Sequence, residues 1–134
     1  MQYTYKIPKK TEFYPLYIAT GWNESLNLSP EDLELAISNS FCVVSVYEKD
    51  QLIGFGRVVS DGVVYATIND VMVAPMWQSQ GIGSAIIRKL VNKCEMADIH
   101  SIHLFAAKGA ESFYKHRGFV TRPFDSPGML YEKI

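Results

Sequence analysis

The chain has 134 residues, of which 48% are apolar and 13% aromatic, which is enough for one packed core. Its 13 Lys and Arg against 14 Asp and Glu give a net charge of -1, which argues against a protein that grips nucleic acid by its phosphates. No apolar run approaches the roughly 18 residues that span a bilayer, and residues 1–13 lack the apolar region of a signal peptide. Cys42 and Cys94 are too few for a disulfide scaffold or a Cys-rich zinc site. We therefore expect one cytoplasmic domain over residues 1–134, without a metal, nucleic-acid or membrane partner.

Two helices and a three-stranded meander are predicted in the first half. The first helix covers residues 11–20 and ends before Gly21, a common C-terminal stop. The second begins after Ser29, a good N-cap residue, with Pro30 at the first helical position, and runs to about residue 39. The predicted strands are residues 41–48, 51–59 and 63–74, and Ser60-Asp61-Gly62 between the last two is typical of a hairpin.

The apolar period changes in the second half. From residue 81 to about residue 97, apolar residues recur at helical spacing at Ile82, Ile86 and Leu90. A strand over residues 99–105, a short helix over 110–117 and strands over 119–121 and 129–133 are predicted after it. A helix between two strands requires a parallel crossover, so the sheet is mixed and the fold class is α/β (α+β).

Residues 71–84 combine an apolar strand, a polar loop and the start of a helix. Pro75 ends the strand, and Gly81 and Gly83 stand where the helix begins. The first amides of a helix lack partners within it and carry partial positive charge, and glycines let a phosphate approach them. The pattern predicts a pyrophosphate-binding loop; the alternative is a tight turn whose glycines only permit close packing. A Walker A loop fits poorly because it ends in Gly-Lys-Ser/Thr, which this segment lacks. A dinucleotide-binding fingerprint also fits poorly, because it needs three glycines and the third is missing here.

Two motifs in the chain resemble a known family. Gln78-Ser79-Gln80-Gly81-Ile82-Gly83 matches the Gln/Arg-x-x-Gly-x-Gly/Ala signature of the GNAT superfamily of acyl-CoA-dependent N-acyltransferases, and Val73-Ala74-Pro75 before it is also typical. Phe113-Tyr114-Lys115-His116-Arg117-Gly118-Phe119 looks like the family's Phe-Tyr-x-x-x-Gly-Phe segment. Gly21-Trp22 and Pro127-Gly128-Met129 look like the small bacterial members, which in turn resemble aralkylamine (serotonin-type) acetyltransferases.

The resemblance implies a mixed, mostly antiparallel twisted sheet with about four helices. Its two central parallel strands, residues 63–74 and 99–105, would splay apart and receive acetyl-CoA as co-substrate. Backbone groups of Val71 and Val73 would pair with the pantetheine arm, and the amide of Val71 or Met72 would polarise the thioester carbonyl. Backbone amides of one loop would hold the pyrophosphate: Gln78, Ser79, Gln80, Gly81, Ile82, Gly83 and Ser84.

The implied activity is acetyl transfer to a primary amine by direct attack in a ternary complex. An alkylammonium with a pKa of about 10.4 must lose a proton, and a thiolate whose thiol has a pKa of about 8.5 must gain one or be stabilised. Tyr114 occupies the position at which the family has the general acid that protonates the departing thiolate. The alternative is that Tyr114 only packs against neighbouring side chains. Asp70 is the candidate base or ammonium-attracting group, although a water chain often replaces a single base in the family. On simple alternation Asp70 shares a face with Ile68 and Met72, which a bulge in this strand would change.

The acceptor site is expected in the N-terminal half of the chain. Tyr17 and Trp22 would form an aromatic wall for an apolar small-molecule amine; the alternative is ordinary core packing. We expect a homodimer. Two other functions stay open, a non-catalytic acyl-CoA-binding or sensing module and a protein N-terminal or lysine acetyltransferase.

Overall fold

The computed structural model describes residues 1–133, which contain five β-strands, five α-helices and one 3-10 turn. They divide into two compact units, Met1–Leu104 and Phe105–Ile134. No α-helix within residues 1–133 has both the length and the apolar character needed to cross a bilayer. In chain order the elements are β1 (Gln2–Thr4), α1 (Lys10–Ala19), α2 (Asn23–Leu26), α3 (Pro30–Ser38), β2 (Cys42–Glu48), β3 (Gln51–Ser60), β4 (Tyr65–Val73), the 3-10 turn (Pro75–Trp77), α4 (Ile82–Met96), β5 (Ser101–Leu104) and α5 (Glu111–Lys115).

The N-terminal unit contains one sheet with the strand order β1-β2-β3-β4-β5. The antiparallel meander of β2, β3 and β4 and the parallel pairing of β4 with β5 across α4 are both confirmed. Strand β1 was not predicted; its three residues pair antiparallel with the end of β2. The mixed, mostly antiparallel sheet expected from the sequence is therefore present.

Helices α1 and α3 cover one face of this sheet. Phe13 of α1 meets Phe55 of β3 edge to face, with ring centroids 4.7 Å apart. Both rings are almost completely removed from water, and such pairs add to the free energy gained by burial. The buried residues of this layer are Phe13, Leu16, Tyr17, Leu33, Ile37, Val43, Leu52, Phe55 and Met72.

Helix α4 covers the opposite face, where two glycines of β3 let it approach closely. A Cβ atom at Gly56 would lie 2.6 Å from Cγ2 of Ile86 and 3.0 Å from Cδ1 of Leu90. Ile86 and Leu90 belong to the apolar stripe that predicted this helix, and both are fully buried. The distance between α4 and the sheet is therefore set by the absence of side chains at these glycines.

Local sequence signals explain two boundaries. The hydroxyl of Ser29 accepts a hydrogen bond from the amide of Asp32 at 3.0 Å, which confirms the predicted start of α3. Strand β4 begins at Tyr65, later than predicted. The reason is that the Asp61 carboxylate accepts hydrogen bonds from three successive backbone amides, those of Val63, Val64 and Tyr65. Those amides close a turn at the residues that were predicted to open the strand.

The predicted strands over residues 119–121 and 129–133 are wrong. These residues form no ladder in the C-terminal unit, where Arg122 donates to the carbonyl of Ser126 at 2.7 Å and closes a turn. Val120 and Met129 are largely exposed. A β-favouring composition produces a strand only where a partner supplies backbone groups and a packed face, and neither is present here.

The close contact between α4 and β3 can be tested with Gly56→Ala. The added methyl group would overlap Ile86, so we expect the free energy of unfolding to fall by about 1–3 kcal/mol. Gly54→Ala is the matched control, because its Cβ atom would lie 3.3 Å from its nearest neighbours, all side-chain methyl groups, and should cost less. Urea unfolding of both variants measures the difference; equal losses would contradict the close approach at Gly56.

Candidate active site

Strand β4 extends beyond its partner β5 and leaves part of one edge open. The parallel pairing ends at Ile68 and Leu104, while β4 continues to Val73. The amide of Ala74 donates to the carbonyl of Ile53 on β3 at 2.7 Å. Because backbone groups of successive strand residues point in opposite directions, those of Val71 and Val73 face the open edge. This edge can accept an extended ligand as an added strand.

A bulge interrupts β4 at Asp70. The register shifts between Phe55 and Arg57 on β3, and Asp70 has a φ of 56°, in the left-handed region. Met72 packs under α1 and α3, and Asp70 bonds to Arg57 on that same face of the sheet. Ile68 pairs with Val58 and lies on the other face, which α4 covers. The expectation that Asp70 shares a face with both Ile68 and Met72 is therefore wrong for Ile68. The bulge inserts one residue and reverses the alternation.

The Asp70 carboxylate is held by an arginine. The Nε–H of Arg57 donates to Oδ2 of Asp70 at 2.7 Å. A second donor of the same guanidinium, Nη1, bonds the carbonyl of Ala36 at 3.1 Å and the hydroxyl of Ser40 at 3.4 Å. Arg57 and Asp70 side chains are 16% and 23% exposed, so water still reaches the carboxylate. Asp70 is thus a hydrogen-bonded carboxylate at the surface of the unit.

Of the two aromatic residues expected to bind the acceptor, Tyr17 lies near this ion pair and Trp22 packs against Tyr17. Tyr17 is buried, and its ring meets that of the half-exposed Trp22 edge to face at 5.9 Å. Burial raises the pKa of the Tyr17 phenol, the negative charge of Asp70 raises it further, and the positive charge of Arg57 lowers it. Tyr17, Asp70 and Arg57 are therefore within electrostatic range of one another.

The glycine loop joins the open edge of β4 to the start of α4. The side-chain amide of Gln78 donates to the carbonyl of Val73 at 3.0 Å and ties the loop to the strand end. Ser79 and Gly81 have φ angles of 63° and 84°. Gly81 is the N-cap of α4 and brings no side chain to its amides, so the first turn of this long helix presents N–H groups and partial positive charge. The predicted loop residues therefore do form a strand–loop–helix junction.

Tyr114 lies in the C-terminal unit, on helix α5. Its ring meets those of Phe113 and Phe119 edge to face, at 5.1 Å and 5.9 Å. Burial raises the pKa of its phenol, and the positive charge of Arg117 offsets part of that rise. Tyr114 is therefore a protonated phenol at neutral pH.

Other candidate groups are less suited to chemistry. Cys94 is buried, and burial raises the pKa of the Cys42 thiol to about 11, so neither sulfur is a ready nucleophile. No cluster of three or more potential metal ligands occurs within residues 1–133. A cavity of about 480 Å³ between α1 and the β2–β3 turn includes Ala74 but none of the predicted site residues.

Sequence reasoning missed Arg57. It is the only charged residue of β3, in a strand otherwise made of apolar residues and glycines, with the uncharged polar residues Gln51 and Ser60 at its ends. A single charged residue in such a strand indicates that its side chain is paired with an opposite charge. The partner of Arg57 is Asp70 on the next strand, and it is brought to Arg57 by the bulge in β4.

Comparison with known proteins identifies the family of the chain. The model of the family described as acetyltransferase (GNAT) domain matches residues 17–127. An uncharacterized N-acetyltransferase ycf52 of Gracilaria tenuistipitata var. liui is 39% identical over 103 residues, which are 74% of this chain and 57% of that protein. The histone acetyltransferase TAP1 of Glycine max is 37% identical over 110 residues, 74% of this chain and 48% of that protein.

A solved structure is also similar over its whole length. A protein of unknown function from methicillin-resistant Staphylococcus aureus, described as a probable acetyltransferase, has a TM-score of 0.86 and 30% identity, with 98% of each chain covered. This chain matches about half the length of the two curated relatives. The family match and these relatives show that the chain belongs to the GNAT family of N-acetyltransferases.

Proposed function

We propose that this protein transfers an acetyl group from acetyl-CoA to a primary amine by direct attack in a ternary complex. The observation that carries the proposal is the continuous surface formed by the open edge of β4, the loop from Gln78 to Ser84 and the first turn of α4. When bound, acetyl-CoA supplies the acetyl group as an activated thioester. The chain's own residues must then bind acetyl-CoA and orient the amine. They must also remove a proton from the ammonium group and supply one to the departing thiolate.

The loop fits a diphosphate in chemistry and in space. The N–H groups of Ile82 and Gly83 open a helix that no side chain caps, and a Cβ atom at Gly81 would meet nothing within 4 Å. Main-chain donors at a helix start bind anions without requiring particular side chains. The backbone groups of Val71 and Val73 would pair with the amides of the pantetheine arm in the manner of an added strand. Of the two amides expected to polarise the thioester carbonyl, that of Val71 is the one proposed here, because the backbone groups of Met72 point toward β3.

Direct attack is favoured because neither cysteine within residues 1–133 is an activated nucleophile. A covalent acyl-enzyme needs a thiolate or a hydroxyl beside a base. The Cys42 thiol has a pKa raised to about 11, and Cys94 is buried. The incoming amine therefore attacks the thioester itself.

Tyr114 and Asp70 are the proposed catalytic residues. A phenol whose pKa is raised keeps its proton at neutral pH and can give it to the departing thiolate. Asp70 carries a carboxylate beside the proposed acyl site, where it can attract the acceptor ammonium or take its proton through water. Tyr17 and Trp22 would contact the apolar part of a small amine.

A protein amine is the second candidate acceptor, because one relative is named a histone acetyltransferase. A lysine or N-terminal ammonium presents the same group to Asp70 as a small amine does. An amine panel that includes aralkylamines, polyamines and peptides separates the two, and turnover of any of them excludes a purely sensing module. The homodimer, the cytoplasmic location, the absence of nucleic-acid partners and the single domain over residues 1–134 stay predictions from the sequence.

Gly83→Glu tests the diphosphate site. A carboxylate in the first turn of α4 favours the helix, whose start is positive, but it repels a diphosphate. We expect the unliganded protein to unfold at no lower temperature, while the midpoint shift with acetyl-CoA disappears. With acetyl-CoA at 100 times its dissociation constant, the free energy of unfolding of the wild type should rise by about 2.7 kcal/mol. This rise should shift the midpoint of thermal unfolding upward by several degrees.

Gly83→Ala is the matched control for this variant, because it adds a Cβ atom without charge and the family signature allows alanine there. It should keep the acetyl-CoA shift. ATP and NAD serve as ligand controls for the wild type. An acetyl-CoA shift that survives in Gly83→Glu would place the diphosphate elsewhere.

Tyr114→Phe tests the proposed acid. Removing the hydroxyl leaves the ring packing against Phe113 and Phe119, so the midpoint shift with acetyl-CoA should stay as in the wild type. The turnover number should fall by more than about tenfold, because the thiolate then leaves without a proton donor. The turnover number is measured from the release of the free coenzyme A thiol at a saturating amine concentration. Because the phenol must be protonated and its pKa is raised, any alkaline loss of wild-type turnover due to this group should be centred above the ordinary phenol pKa of about 10.

A further inference from the structure

Arg57 joins three parts of the N-terminal unit through one guanidinium. Its Nε–H donates to Asp70 at 2.7 Å, and its Nη1 donates to the carbonyl of Ala36 and to the hydroxyl of Ser40. Ala36 belongs to the last turn of α3, and Ser40 follows that helix. A residue of β3 therefore links the bulge of β4 to the end of α3.

The two main partners of Arg57 are both negative. The Ala36 carbonyl accepts the amide of Asn39 at 3.2 Å and, as one of the last carbonyls of α3, also lies at the negative end of the helix dipole. The first turn of α3 holds Glu31 and Asp32, but its last turn contains no basic residue of its own. The guanidinium from β3 supplies that missing positive charge and binds the Asp70 carboxylate at the same time. Arginine suits this role because its donors are fixed in one plane and it stays charged.

Asp70 has a backbone conformation that needs support. Its φ of 56° is unusual for a residue other than glycine, although Asp and Asn tolerate it best. Residues in such conformations persist where the surrounding contacts fix them, and they cluster at functional sites. The bond from Arg57 fixes the carboxylate on the side of α1 and α3, where Tyr17 lies.

One carboxylate oxygen remains available to a ligand. Arg57 occupies Oδ2, and no donor within residues 1–133 bonds Oδ1. The Asp70 side chain is 23% exposed, so an ammonium from solvent can reach it. A positive group beside a carboxylate keeps that carboxylate negative and fixes its orientation without blocking both of its oxygens.

We propose that Arg57 is the positioning residue of the acceptor site, and that it holds Asp70 so that Oδ1 binds the ammonium group of a cationic primary amine. This inference rests on the proposed function and adds to it the charge of the acceptor and the residue that orients the acceptor-binding group. Arg57 acts through Asp70 and touches neither the acetyl group nor the amine.

The test compares Arg57→Gln, Arg57→Lys, Asp70→Asn and the double variant Arg57→Gln/Asp70→Asn with the wild type. Arg88→Gln is the matched control, because Arg88 is an exposed residue of α4 outside the site. Asn at position 70 removes the charge and tolerates the left-handed backbone. Each protein is assayed with 2-phenylethylamine at saturating acetyl-CoA, and acetyl-CoA binding is measured separately from the midpoint shift on heating.

We expect Arg57→Gln to lower kcat/KM for the amine by at least about tenfold and to leave the acetyl-CoA midpoint shift and the KM for acetyl-CoA unchanged. Arg57→Lys should restore part of the loss, because it keeps the charge without the planar donors. The double variant should be no slower than Asp70→Asn alone, because Arg57 acts through Asp70. If Arg57→Gln fails to fold, Arg57→Lys carries the test, and a lower kcat/KM for the amine with unchanged acetyl-CoA binding supports the proposal.

Three results would overturn the role of Arg57. The first is activity of Arg57→Gln equal to that of Arg88→Gln. The second is a double variant in which the two losses multiply, and the third is a loss of acetyl-CoA binding in step with the loss of turnover. A wild type that acetylates no amine in the panel would instead overturn the proposed function itself, and with it the acceptor role of Asp70.

Discussion

The bulge of β4 at Asp70 is the constraint on which the proposed acceptor site depends. A regular strand would place Asp70 and Ile68 on the same face, under α4, where an unpaired carboxylate would be buried among apolar side chains. The left-handed backbone at Asp70 sends the carboxylate to the other face, and the Arg57 guanidinium receives it there. Strand β4 thus brings apolar side chains to α4 and one carboxylate to the side of α1 and α3.

The proposed donor site depends on a different constraint, the close approach of α4 to β3. Gly54 and Gly56 leave room for Ile82, Ile86 and Leu90 against the sheet. Because α4 starts directly after the glycine loop, this packing also fixes where its first amides stand relative to the end of β4. The bond from Gln78 to the carbonyl of Val73 ties the loop to the strand at its other end. The proposed diphosphate site is therefore fixed by packing on one side and by a hydrogen bond on the other.

Local signals predicted the elements that such signals control. The Ser29 cap, the apolar stripe of α4 and the meander of β2, β3 and β4 depend on residues close in sequence, and all were predicted correctly. Features that depend on distant partners were not predictable. Strand β1 is three residues long and exists only through its pairing with β2. Residues 119–121 and 129–133 have a strand-like composition but pair with no strand among the residues that the structure describes.

The same division applies to the candidate site. The glycine loop was recognisable because backbone amides at a helix start bind an anion, and this requires glycines at fixed places in one short segment. The side of the sheet that Asp70 occupies was not predictable from alternation, because one inserted residue reverses it. The pairing with Arg57 was missed for the same reason, since the two residues come from different strands and meet only through the bulge.

A site built in this way separates its two tasks physically. The proposed acyl-donor surface uses main-chain groups of β4 and α4, which most substitutions leave in place. The proposed acceptor surface uses the side chains of Tyr17, Trp22 and Asp70, with Arg57 behind them, and each can change without disturbing the donor surface. Related chains can therefore keep one donor while their acceptors differ. In this chain the proposed acceptor-binding group is a single carboxylate that accepts a hydrogen bond from Arg57 on Oδ2 and stays negative, which suits an acceptor that brings its own positive charge.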